Sequence, residues 1–209
     1  WGAACFLSAC GNRAGALSAP AAKHAVVVAD AMDRAVHFDQ PPRRIAIAGK
    51  ASFMIENAIH LFPEVREKKL EFLGGRFAQR AQAGDFLALV APGHAAAATL
   101  GGEAGVEQIA ATRPDVVLMK NSGRRAGDAL DGAGLPVVFL DFETPAQYER
   151  DLAILGQVLA ATNRAGELIA YYRGIQAAVR AQTAGLDATV KPRTLLIQYA
   201  ARGGTAAFS

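Results

Sequence analysis

Cysteine is almost missing from this chain of 209 residues, and the two that occur, Cys5 and Cys10, both fall within the first ten. From Gly11 onward there is no thiol, which excludes a disulfide framework, a thiolate metal site and a cysteine nucleophile from the folded part. Histidine is scarce, with His24, His37, His60 and His94 as the only imidazoles. An excess of either charge is also lacking: 22 Lys and Arg against 19 Asp and Glu leave a balance of +3, small and scattered, so nucleic acid is not an expected partner. Beyond the N-terminal stretch no apolar run is long enough to span a bilayer. There is no Gly-x-Ser-x-Gly elbow, no Walker loop, and no Gly-x-Gly-x-x-Gly after a strand. Gly101-Gly102 with Gly105 reads as a loop rather than a phosphate cradle, and the carboxylates are dispersed. These absences leave no catalytic residue, no resident cofactor and no metal-ligand set to assign.

What is present is α/β punctuation. Val106, Ile109 and Ala110 fall one helical turn apart, so residues 105–113 read as a short amphipathic helix. Pro114 disfavours helical geometry at Arg113, and Asp115 opens the apolar run Val116 to Met119, typical of a parallel strand covered on both faces. The pattern repeats as a helix over Ala126–Ala133, a cap at Gly134 and a strand from Pro136 to Leu140. Upstream, Ala25–Ala29 and Arg34–Phe38 flank Asp30-Ala31-Met32-Asp33 as a hairpin, and Ile45–Ala48 is a strand ending at Gly49. Ala51–Phe62 reads as a helix with Phe53, Met54, Ala58, Leu61 and Phe62 inward, stopped by Pro63, and Leu70–Leu73 as a second strand. Residues 78–102 suggest a short helix and a loop. From Pro145 to about Ala184 apolar residues keep a near-helical period, with a break near Thr162-Asn163. If continuous, that rod is ~50 Å long or more; the alternative is two packed surface helices of one domain. Thr194–Tyr199 is a last strand with no evident sheet to join.

The stretch Glu107…Arg113-Pro114-Asp115-Val116-Val117-Leu118 resembles the bacterial substrate-binding proteins of iron–siderophore, haem and cobalamin importers. Those are two-lobed proteins whose lobes are joined by one long helix. Val28 to Phe38 resembles their opening hairpin, Pro41-Pro42-Arg43-Arg44-Ile45 their lead into the first sheet strand, and Leu130 to Leu140 their helix–Gly–Leu-Pro-Val unit. The family has Gly where Asp33 stands, a residue that tolerates left-handed geometry. The resemblance implies a parallel-sheet, Rossmann-like N-terminal lobe over residues 25–144. It implies a spine helix over 145–185 and the start of a truncated second α/β lobe over 186–209. Leu7-Ser8-Ala9-Cys10 resembles a lipobox, so residues 1–24 are expected to be a clipped signal and linker, with Cys10 lipidated.

In a parallel sheet, ligands sit outside the carboxyl ends of the strands. That rule selects Lys50 and Ser52 after the first strand, Arg76 and Phe77 after the second, and Lys120, Asn121 and Arg124 after the third. Tyr199 and Arg202 are the candidates from the opposite lobe, joined by Phe208. Cations with an aromatic rim suit an anionic, partly apolar chelate. By resemblance Glu107 is a surface glutamate that docks with a membrane permease through charge complementarity. The expected function is therefore an extracytoplasmic, lipid-anchored, monomeric solute-binding component of an ABC importer. It would carry a ferric siderophore or haem-like chelate to a permease dimer. The rivals are a zinc- or manganese-binding protein, for which His94 is a plausible loop ligand, and an enzyme on a doubly wound fold.

Overall fold

The computed structural model describes residues 26–49, 53–67, 71–74, 104–190, 197–198 and 207–208. The chain opens with the antiparallel hairpin β1 (Val26–Ala29) and β2 (Ala35–Phe38). Its turn places Asp33 at φ +57, the left-handed geometry expected there. Four strands follow: β3 (Arg44–Ala48), β4 (Glu71–Gly74), β5 (Val116–Lys120) and β6 (Val137–Leu140). They form one parallel sheet in the order β4-β3-β5-β6. The fold is thus the expected α/β class.

Alternation along the strands divides the core in two. On one face Ile45, Ile47, Val116, Leu118, Val138 and Leu140 pack under α1 (Phe53–Ile59) and under Leu152 and Leu155 of a later helix. A four-residue turn of helix, α2 (Glu64–Glu67), precedes β4. On the other face Ala46, Val117, Met119, Val137 and Phe139 meet Ile109 of α3 (Val106–Ala111) and Leu130 of α4 (Arg124–Gly132). A Cβ on Gly127 would lie 2.3 Å from Phe139 Cζ, so glycine is what lets α4 lie this close to the sheet. The C-terminus of α4 is a Schellman turn: Leu135 N–H donates to the Leu130 carbonyl, Gly134 N–H to Asp131, and Gly134 sits at φ +82.

Two motifs of the sequence meet at the amino edge of the sheet. The Asp115 carboxylate accepts from the N–H groups of Arg43 and Arg44, both at 2.8 Å, and Arg44 Nε donates to the Thr112 carbonyl at 2.6 Å. The Arg-Pro-Asp segment therefore anchors the Pro-Pro-Arg-Arg segment and aligns β3 with β5. At the edge strand β6 the hairpin turn does similar work. Buried Asp30 accepts from Met32 N, Arg34 N and the Arg34 guanidinium, while Ala31 N–H donates to the Phe139 carbonyl at 2.9 Å. Arg34 also donates to the Val137 carbonyl and stacks over the Phe139 ring. An edge that would otherwise expose unpaired backbone is thereby covered.

The expected rod from Pro145 to Ala184 is not continuous. It is two helices, α5 (Pro145–Val158) and α6 (Thr162–Thr183), folded back on each other. The antiparallel pairing is read from contacts 24 residues apart: Arg173 Nε donates to Glu149 at 2.8 Å, and the Tyr148 and Tyr172 rings meet edge to face at 4.9 Å. Burial, then the Tyr172 hydroxyl, pushes the Tyr148 phenol above its ordinary range. The break is again a Schellman turn, with Ala161 N–H on the Gly156 carbonyl and Ala160 N–H on Gln157. Here alanine, at φ +50, holds the left-handed position that glycine usually fills, at a cost of about 1–2 kcal/mol. Burial of Leu159 and Ala161 against the core offsets that cost. Half of the single-domain alternative is therefore right: the helices do pair. What remains of the rod is α6, 22 residues and ~33 Å long.

Smaller differences have simple causes. The first sheet helix ends at Ile59 rather than Phe62, and its inner face is Ile55, Ala58 and Ile59, with Phe53 46% exposed. The chain bends over residues 60–63 so that Phe62 still reaches the core beside Val65. The strand expected at Thr194–Tyr199 contributes β7 (Ile197–Gln198), which is not alone: it pairs antiparallel with β8 (Ala207–Phe208). Residues 78–102 lie outside the described residues.

Candidate functional site

The chain leaves β3 toward β4 on one side and reaches β5 on the other. The strand order therefore reverses between β3 and β5, and a crevice opens at their carboxyl ends. A pocket of about 310 Å³ occupies that position. Gly49 and Met119 form its floor, Gly105, Val106 and Ile109 one wall, and Ser122, Gly123, Ala126 and Leu130 the other. Small residues make the space. Gly49 turns at φ +87, and a Cβ on Gly123 would stand 3.0 Å from Met119 Sδ. The lining is mainly apolar, with a thioether at the base and the Ser122 hydroxyl near the mouth.

On the other face of the same edge, the side chain of Lys120 is 4% exposed and its ammonium is paired with the carboxylate of Glu143, itself 67% exposed. Glu143 comes from the loop joining β6 to α5, and that loop is fixed at both sides. Upstream, the fully buried Asp151 carboxylate accepts from Asp141 N at 2.6 Å and Phe142 N at 2.7 Å, with Phe142 held at φ +55. Arg150 bridges Asp151 at 2.8 Å and Asp141 at 2.5 Å. Its hydrogen bond to Asp151, then that to Asp141, raise the guanidinium pKa above its ordinary value. Downstream, Thr144 and Gln147 form a reciprocal capping box, with Pro145 in the first turn of α5.

The β5–α4 turn brings Lys120, Asn121 and Arg124 together at this edge, as the strand-end rule requires. Asn121 and Arg124 are exposed, and Arg124 lies 3.5 Å from Asp128. Lys120 is not presented as a free cation, because Glu143 holds it. Glu107 is exposed in the first turn of α3 on the same rim. Lys50, Ser52, Arg76, Phe77, Tyr199, Arg202 and Cys10 lie outside the described residues. So do His24 and His94. His37 is exposed on β2, and among the described residues no group of three or more His, Cys, Asp or Glu could hold a metal ion. Cations at three strand ends do not point to Glu143; its signal in the sequence is the Asp-Phe-Glu-Thr-Pro segment directly after the fourth strand.

A family profile described as periplasmic binding protein matches residues 80–208, more than half of the chain. This chain belongs to that family. No curated protein matches it. Among solved structures it is similar to a TroA-like periplasmic binding protein, FepB, from Veillonella parvula, with TM-score 0.64 and 18% identity over 80% of this chain and 51% of that one. It is similar to the siderophore-binding protein BauB, solved with two acinetobactin molecules and ferric iron, with TM-score 0.62 and 16% identity over 88% and 61%. It is also similar to the molybdate-binding MolA from Haemophilus influenzae, with TM-score 0.61 and 15% identity over 78% and 55%. At such identities the likeness is one of fold. The chain spans about half the length of the first of these binding proteins. The family is one of solute-binding proteins rather than enzymes, and what such a protein holds is cargo, not a cofactor.

Proposed function

We propose that this chain is part of the extracytoplasmic solute-binding component of an ABC importer, capturing an iron complex and delivering it to a membrane permease. The complex would be a ferric siderophore or a haem-like chelate, held between two lobes. The observation that carries the reading is the pocket at the β3–β5 reversal, roomy enough for one arm of a chelate and open at the sheet's carboxyl edge. A second feature agrees with it. Arg173 is level with Glu149, so about six residues of α6 run beyond the start of α5, ~9 Å past that edge. In this reading α6 alone, not the whole segment 145–185, is the spine. Residues 25–144 form one wall, and residues 186–209 begin the other, where Tyr199 and Arg202 would face the solute. Lys50, Ser52, Arg76 and Phe77 would complete the first wall beside Lys120, Asn121 and Arg124. A lipid on Cys10 would tether a monomer to the periplasmic or cell-surface side of the membrane.

The test is equilibrium dialysis of the full encoded protein against a ferric trihydroxamate, hemin, zinc and manganese. Saturable one-to-one binding of an iron chelate is expected, with zinc and manganese not retained; the reverse pattern would replace this reading with metal-ion carriage. The substitution Ala126→Trp, at an exposed position on the pocket wall, is expected to weaken chelate binding at least ~10-fold, which is 1.4 kcal/mol, without moving the thermal midpoint. Glu107 is the docking residue in this proposal. Glu107→Lys is expected to slow uptake in permease-containing vesicles while leaving chelate affinity as it was, and equal uptake would remove Glu107 from the interface.

A further inference from the structure

The sequence singles out the cations of the strand-end loops and from them expects an anionic solute. Their surroundings point elsewhere. Lys120 is the one buried cation among the described residues, and its charge is already met by Glu143. Arg150 is held by Asp141 and Asp151, and Arg173 by Glu149. Arg124 and Arg125 are exposed, where solvent and salt screen them. Lys120 therefore acts on a solute through the least water, and Glu143 decides how much of that field a solute meets.

Glu143 is no casual surface acid. Its backbone is fixed on one side by two N–H groups on the Asp151 carboxylate and on the other by the Thr144–Gln147 box. Its side chain is nevertheless two-thirds exposed at the carboxyl edge, across that edge from the pocket, so a solute that spans the edge meets this carboxylate rather than the ammonium behind it. A carboxylate or catecholate oxygen would have to displace Glu143 to reach Lys120, leaving one negative charge unpaired. An uncharged chelate makes no such demand. We propose that Glu143 sets the charge selectivity of the site, so that the favoured cargo is an iron chelate without net negative charge. This rests on the solute-binding reading above and narrows it.

The experiment measures, by equilibrium dialysis on the full encoded protein, the ratio of affinities for hemin, which carries two carboxylates, and a neutral ferric trihydroxamate. Wild type is expected to favour the neutral probe. Glu143→Gln is expected to shift the ratio toward hemin about tenfold, the scale of one unit charge removed a few ångströms from another at an interface with water. The shift is expected to vanish in the double variant Lys120→Met/Glu143→Gln, which also removes any penalty from an unpaired buried ammonium. Glu149→Gln, the same change of net charge at a pair on the helix hairpin, is the control and is expected to leave the ratio in place. Should Glu143→Gln lose its cooperative melt, Glu143→Asp is read instead, with a smaller shift in the same direction. Binding of both probes with an unmoved ratio, an equal shift in Glu149→Gln, or a shift that survives in the double variant overturns the charge filter. Failure of wild type to bind either probe overturns the iron-chelate reading itself.

Discussion

Replacing Asp151 with alanine is expected to lower the unfolding free energy by about 3–5 kcal/mol, measured by urea denaturation. The size follows from what the carboxylate does. It is fully buried, it accepts two backbone N–H groups from consecutive residues, and it is one of two acids that hold Arg150. Alanine leaves two buried donors and part of a guanidinium without partners. Each orphaned donor costs about 1–3 kcal/mol, far more than a surface ion pair is worth. The left-handed geometry at Phe142 loses its support at the same time. Asp151→Asn, which keeps one acceptor, is expected to fall between the two. A loss under 1 kcal/mol for alanine would show that this loop is held by something other than Asp151.

Gly156→Leu is expected to cost about 3 kcal/mol and to separate the two helices at their base. A Cβ at Gly156 would stand 2.5 Å from the Ala165 Cβ, a distance real side chains do not adopt. The ~1 kcal/mol that helix propensity returns on replacing glycine is smaller than the overpacking penalty, so the clash decides the sign. Gly166 sits one residue from Ala165 with nothing within 4 Å of its would-be Cβ. Gly166→Ala is therefore expected to stabilise by up to ~1 kcal/mol. Opposite signs for two glycines so close to one contact would separate packing from propensity. If both variants stabilised the protein, the close approach of α5 and α6 would be wrong.

Period and punctuation carried most of the sheet. The run Val116–Met119 reads as a strand covered on both faces because all of it is buried between two neighbours, and Gly134 reads as a cap because left-handed geometry there needs glycine. The helix pair escaped for the complementary reason. Ala160 takes the same geometry without the residue that advertises it. Leu155, Val158, Leu159 and Ala161 keep apolar spacing through the turn because both helices bury the same core side. The candidate site is legible as a place before it is legible as chemistry. Strand-end logic puts Lys120, Asn121 and Arg124 in one turn at the sheet's edge, but a sequence does not say which carboxylate answers a lysine 23 residues away. A count of cations expects an anionic solute, and it does not show which of those cations already hold a partner. The helical period through Tyr172, Ile175 and Val179 expects one inner face; Tyr172 packs against the core, whereas Ile175 and Val179 are exposed.

The fastening of the helix pair is uneven. Near Gly156 and Ala165 the two helices touch almost backbone to backbone, and by Ala177 the partner has ended. Mechanically the longer helix is a cantilever, clamped beneath the sheet and loaded above it. A force on its tip meets only that helix's own hydrogen-bond ladder in the last two turns. Whatever hangs from the tip can therefore tilt by bending those turns, while the strand-end loops keep their shape.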